Sequence, residues 1–187
     1  MRRVIASVGI GWLSLDAWSE TYVGARWLSE VELPANQWET QSHHDPLAQM
    51  LLIGSHSLVE IALFSSIQAI LKASPGNFPD YEKRFPKVSF EKAFTRWPEK
   101  LGSGAFDLSV EPFVSVERLR ERRNRSIHFG SAVTSLAMAR SALFSAVEGS
   151  KAISRHLLGP DGFRYEVVLK KYPLVPRPPF SSVAFPN

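Results

Sequence analysis

The run Arg123-Asn124-Arg125-Ser126-Ile127-His128 brings together three residue types that can handle a phosphate: a guanidinium, an amide and an imidazole. Histidine, with an unperturbed pKa of about 6.5, can pass a proton near neutral pH. A fixed arginine can stabilise charge developing on a phosphate. Projected on a helix at about 100° per residue, Val116, Leu119, Arg123 and Ile127 fall on one stripe, which predicts a core-facing Arg123. Asn124 and His128, four residues apart, share the rim of that stripe, so the three side chains are expected to border one pocket. A buried guanidinium is costly unless it is paired or meets water in a cleft. The plainer alternative is a structural ion pair with a carboxylate of a central helix, such as Glu60.

The other arginines of this stretch divide. Arg120 leans inward with Arg123, while Arg118, Arg122 and Arg125 are expected on the far side. There they either contact a phosphate backbone or form a solvated face laced by Glu121 and Arg125 at i, i+4. His56 and Glu60, also at i, i+4, are candidates to support the Arg123 pocket from behind, or else a satisfied polar contact. His43-His44-Asp45 lacks further spaced ligands, and no metal is expected. His156 is read as a helix C-terminal partner. Trp12, Trp18, Trp27, Trp38 and Trp97 do not cluster with the basic residues and are expected in the core or an interface.

The composition narrows the chemistry further. The chain has no cysteine, which excludes disulfides, thiolate catalysis and cysteine-ligated metals and fits a reducing cytoplasm. It carries no Walker loop, dinucleotide fingerprint or H-E-x-x-H pattern, and no cofactor is implied. The net charge of +4 permits an anionic partner without requiring one. Met1-Arg2-Arg3 followed by Val4 to Leu13 imitates a signal peptide, but Gly9, Gly11 and Trp12 dilute it and no A-x-A-like site follows. The longest apolar stretches are interrupted by polar residues short of the ~20 that a membrane span requires. The expectation is a soluble, cytoplasmic protein.

These residues need helices to position them. Apolar spacing from Ser14 predicts a helix ending before Pro34, and Asp45-Pro46 predicts the start of a long central helix through about Ala73. Ser74-Pro75-Gly76-Asn77 stops it, and Phe78 to Lys87 reads as an irregular connection. Ser89 caps a shorter helix that Pro98 would end early. A helix from about Phe113 to His128 carries the motif, and another from about Ser131 to Leu158 ends at Gly159-Pro160-Asp161-Gly162. Phe163 to Leu169 reads as a short strand or extended arm, and the proline-rich remainder as extended or partly disordered. The division is an N-terminal helix and loop over 1–44, a helical domain over 45–159 and a C-terminal arm over 160–187.

Arg123-Asn124-x-x-x-His128, on a helix ending at Phe129-Gly130 and followed by another long helix, resembles the R-x4-6-H motif of the HEPN superfamily. The resemblance covers about Leu47 to Leu158. It implies an all-α bundle of about four or five helices and a metal-independent endoribonuclease that attacks through the RNA 2′-hydroxyl, as in toxins and defence effectors. Arg123, His128 and Asn124 would be catalytic, and Arg120, Arg122 and Arg125 would contact RNA. Two protomers would join their motifs across a homodimer, and a toxin would have an antitoxin partner. Two other outcomes are weighed: a non-catalytic HEPN-like module binding RNA, a nucleotide or a protein, and a purely structural dimerisation bundle.

Overall fold

A computed structural model of the protein describes residues 17–32, 46–129 and 134–184, the side chains of residues 128 and 129 excepted. The described residues form seven α-helices and no strand. Helix α1 covers residues 17–30, α2 Pro46–Ala73, α3 Pro79–Arg84, α4 Phe90–Lys100, α5 Phe113–Phe129, α6 Leu136–Leu158 and α7 Glu166–Lys171. The all-helical class follows from the 3.6-residue apolar spacing of the longer segments.

Helices α2 and α6 make the principal pair, and their C-terminal turns meet where the Ser66 hydroxyl lies 3.4 Å from that of Ser154. Helix α2 is apolar on several sides, burying Leu51, Leu52, Leu58, Val59, Leu63 and Ile67. By length and composition alone it could cross a membrane, contrary to the expectation that no stretch qualifies. Here it is the central strut, enclosed by α1, α4, α5 and α6, and it carries polar Ser55, His56 and Glu60 in its middle.

Helix α5 packs on both members of that pair. Its contact with α6 is close because Gly149 faces Val116: a Cβ placed on Gly149 would sit 2.4 Å from Val116 Cγ2. Helix α6 begins with Ser135 accepting from the Met138 N–H, several residues later than the expected Ser131. It ends at Gly159, whose φ of 89° is open to glycine at little cost. Pro98 does not end α4, which runs on to Lys100.

Helix α1 lies across α6 through a buried stripe of Trp18, Tyr22, Ala25 and Ser29. Trp18 donates to Ser150 Oγ at 3.3 Å and stacks on Tyr22 and Tyr165, while Arg140 at the other end donates to the Ser29 carbonyl at 2.7 Å. Trp97 is also in the core, but Trp27 is 60% exposed, and Trp12 and Trp38 lie outside the described residues.

Three connections depart from expectation. Part of Phe78 to Lys87 is helical, as α3 and a 3-10 turn whose Tyr81 and Phe85 pack on Trp97. The segment from Phe163 supplies two aromatic side chains to Trp18 and then turns into α7 rather than a strand. The C-terminal segment is non-helical through Pro179 but anchored: Phe180 is fully buried, its N–H donates to Ser145 Oγ at 2.9 Å, and the Ser181 N–H donates to Ser115 Oγ at 3.0 Å. Side-chain acceptors on α5 and α6 thus replace the backbone partners that proline-rich chain cannot supply to itself.

Substituting Gly149→Ala is expected to lower stability despite alanine's better helix propensity. Overpacking costs about 1–3 kcal/mol, against a propensity gain of about 1 kcal/mol. In a Val116→Ala background the same change should become neutral or stabilising, as read by urea denaturation. Phe180→Ala is expected to cost about 3–5 kcal/mol, whereas an unanchored tail would lose almost nothing.

Candidate functional site

The arginine-bearing half of α5 does not bury the face drawn from its sequence. The fully buried positions are Ser115, Val116 and Leu119, Phe113 and Arg122 follow at 9% exposure each, and Ile127 is 46% exposed. The buried stripe is therefore rotated by about 40° from the expected one. Arg122, expected on the far side, is a core-edge residue, and it flanks Leu119 opposite Arg123. Burial, then the charges of Arg125 and Arg118, holds the Arg122 guanidinium below its ordinary pKa.

Arg118 is also not a solvated residue. Its guanidinium donates to the carbonyls of Ser181 and Val183 and so fastens the C-terminal segment. Arg120 is gripped by Glu117 through two hydrogen bonds, of 3.0 and 2.5 Å, and has Glu91 at 3.9 Å. The bonds to Glu117 raise its pKa, and its donors are largely committed. Arg125 is exposed and has no ion pair with Glu121 among the described residues. With Arg118, Glu121 and Arg122 it lines a shallow cleft of about 200 Å³.

Arg123 is half-buried, so it is not sealed from solvent. Its Nη1 donates to Asn124 Oδ1 at 3.1 Å, and its Nε is buried without an acceptor. Across the seam, Glu60 of α2 feels the Arg123 charge and stands 3.5 Å from His56 Nδ1. His56 is 2% exposed, packs against the Phe90 ring, and has no hydrogen-bond partner at Nδ1 or Nε2. Burial alone would raise the Glu60 pKa, but the close approach of His56 and the charges of His56 and Arg123 outweigh that and lower it. The structure thus brings Glu60 and its neighbour His56 to Arg123 and Asn124. His128 lies on the last turn of α5, and its side chain is outside the described residues, as is the whole of His43-His44-Asp45.

The sequence assigned no role to Ser126, whose hydroxyl is buried with no partner. Its position four residues after Arg122 would have indicated this once the buried stripe was correctly centred. Buried polar atoms are nearly always bonded, so orphans at Arg123 Nε, His56 Nε2 and Ser126 Oγ mark places where water or a ligand oxygen belongs. His156, near the end of α6, bonds the Gly104 carbonyl at 3.0 Å and packs on Phe106, tying a loop down rather than capping its own helix. Among the described residues no group of three His, Cys, Asp or Glu side chains is placed to hold a metal ion.

No family model matches the chain, and neither a curated protein nor a solved structure is detectably similar to it.

Because the Glu60 pKa is depressed in the folded protein, its contribution to stability is complete above the ordinary glutamate value of about 4.3. It is lost as pH falls through the lowered folded value. Glu60→Gln should therefore flatten the acid side of the stability profile and cost about 1 kcal/mol or less at neutral pH. Thermal unfolding between pH 3 and 7 checks it, and parallel profiles for the two proteins would contradict it.

Proposed function

We propose that the protein is a metal-independent endoribonuclease of the HEPN type, acting as a toxin or defence effector and working as a homodimer. The observation that carries this reading is Arg123, half-buried, oriented by Asn124 and near Glu60 and His56, yet with donors unspent. A guanidinium has five N–H donors in a rigid fork, and those left over suit a phosphate oxygen. His128 follows Asn124 by one helical turn.

In the proposed reaction His128 takes the proton of the RNA 2′-hydroxyl as that oxygen bonds to phosphorus. The bond from phosphorus to the 5′-oxygen breaks, leaving a 2′,3′-cyclic phosphate, and the departing oxygen receives a proton from a second imidazolium supplied by the other protomer. Arg123 stabilises the charge on the phosphoryl oxygens, and Asn124 holds its guanidinium plane. Arg125, exposed beside Arg122, contacts the backbone of the bound strand, whereas Arg120 contributes through its hold on Glu117.

The second reading is a non-catalytic module that binds RNA, a nucleotide or a protein partner through the same residues. The proximity of Glu60 favours it, since a carboxylate near Arg123 competes with a phosphate for that guanidinium.

Purified protein is expected to cut RNA in EDTA and leave cyclic-phosphate ends. His128→Ala should reduce the rate by about 10²- to 10⁴-fold, and Arg123→Ala by a comparable factor. Equal cleavage by His128→Ala would sink the nuclease reading. RNA retained on the wild type but uncut at high protein concentration would establish the binding module in its place.

A further inference from the structure

A second polar cavity, of about 350 Å³, opens where the last turns of α2 and α6 meet the loop between α6 and α7. Its walls include Ser65, Ser66, Lys72, Ser154, Arg164 and Tyr165, and no carboxylate lines it. It shares no residue with the Arg123 site.

Three features make it a built site for an anion. Lys72 and Arg164, both exposed at the rim, have no ion-pair partner among the described residues. Ser66 and Ser154 are 2% and 4% exposed and bonded to one another, so one hydroxyl proton of the pair has no protein acceptor. The wall itself is closely fitted: a Cβ on Gly162 would lie 2.4 Å from the Ser154 carbonyl and 2.7 Å from Leu158 Cβ, and the Gly162 N–H is held by the Gly159 carbonyl at 2.9 Å.

The competing explanation is that the two cations merely offset the negative ends of α2 and α6. Each helix C-terminus amounts to about half a negative charge. Two of them balance roughly one cation, and the cavity keeps about one net positive charge with buried hydroxyl donors at its base. A compact anion meets both, and the volume lies at the lower end of the range for small-molecule sites of about 300–1,000 Å³.

We propose that this cavity binds a small phosphomonoester, with Lys72 and Arg164 pairing the phosphate at the rim and the Ser66–Ser154 pair donating to it from below. Size restricts the occupant to a free phosphate or a small phosphorylated metabolite, and excludes a folded RNA.

Isothermal titration calorimetry at fixed ionic strength tests it on the full chain, using inorganic phosphate, ribose 5-phosphate, a nucleoside 5′-monophosphate and ribose as probes. Phosphate-bearing probes should bind and ribose should not. Tighter binding of ribose 5-phosphate or the nucleotide than of inorganic phosphate would identify a phosphorylated metabolite as the occupant, and the reverse order would identify free phosphate. Lys72→Gln and Arg164→Gln, both surface changes, should each weaken binding at least about tenfold, with thermal unfolding confirming that they fold. Absence of binding by all phosphate probes, or unchanged binding in the double variant, overturns the proposal. The measurement can be repeated in His128→Ala, where binding should persist, so its outcome is separate from that of the nuclease reading.

Discussion

Helix α6 is built to let other segments come close. Ala139, Ala142, Ala146 and Gly149 fall at three- and four-residue intervals along it, all buried, so its backbone can approach its neighbours more nearly than a leucine-lined helix would. At Gly149 the approach leaves no room for a side-chain atom beside Val116. That contact seats α5 closely on α6 through Val116, which is β-branched and fully buried. In that seating Leu119 faces inward, Arg122 and Arg123 fall to either side of it, and Ile127 turns outward.

The same helix receives the chain ends through hydroxyls. Ser150 bonds its own helix at the Ala146 carbonyl and still accepts from Trp18, while Ser145 accepts the N–H of Phe180. A serine that satisfies its proton within the helix keeps a lone pair to offer, and so can take up an incoming donor without leaving a buried group unpaired. Ser150 joins α1 to the core in this way, and Ser145 receives the C-terminal segment.

Much of the helical plan was legible because its signals are local. Proline at the start of α2, Ser74 to Asn77 at its end, Ser89 before α4 and Gly159 after α6 each act within a turn of where they stand. The departures arise where distant contacts decide. Phe163 and Tyr165 alternate like a strand, but their partner is the Trp18 ring, which sequence spacing cannot indicate. Phe180 sits among prolines and looks unstructured until Ser145 and Ser115 are seen to receive the backbone on either side of its ring. The helical wheel failed at Arg122 for a related reason. It centred the buried stripe on Val116, Leu119, Arg123 and Ile127, which sent Arg122 to the far side, whereas the tertiary packing of α5 buries Arg122 and leaves Ile127 exposed. Glu60, by contrast, was reachable as a neighbour of Arg123, because a buried-edge guanidinium demands an acidic residue on the adjoining helix.

An arginine-rich helix beside a core faces mutual repulsion, and α5 resolves it by giving its guanidiniums different surroundings. Arg118 is spent on backbone carbonyls, Arg120 on carboxylates, and Arg125 on solvent. Saturation of that kind stabilises but also disables: a guanidinium held in two bonds by Glu117 has little left for a ligand. Arg123 is arranged otherwise, with one short-range partner in Asn124 that orients it and a carboxylate in Glu60 that offsets its charge from behind without a hydrogen bond. Orientation without saturation is what recognition of a phosphate requires, since the donors must be fixed in direction and still open. Among the arginines of α5, Arg123 alone combines a fixed orientation with a donor that has no protein acceptor and a carboxylate nearby.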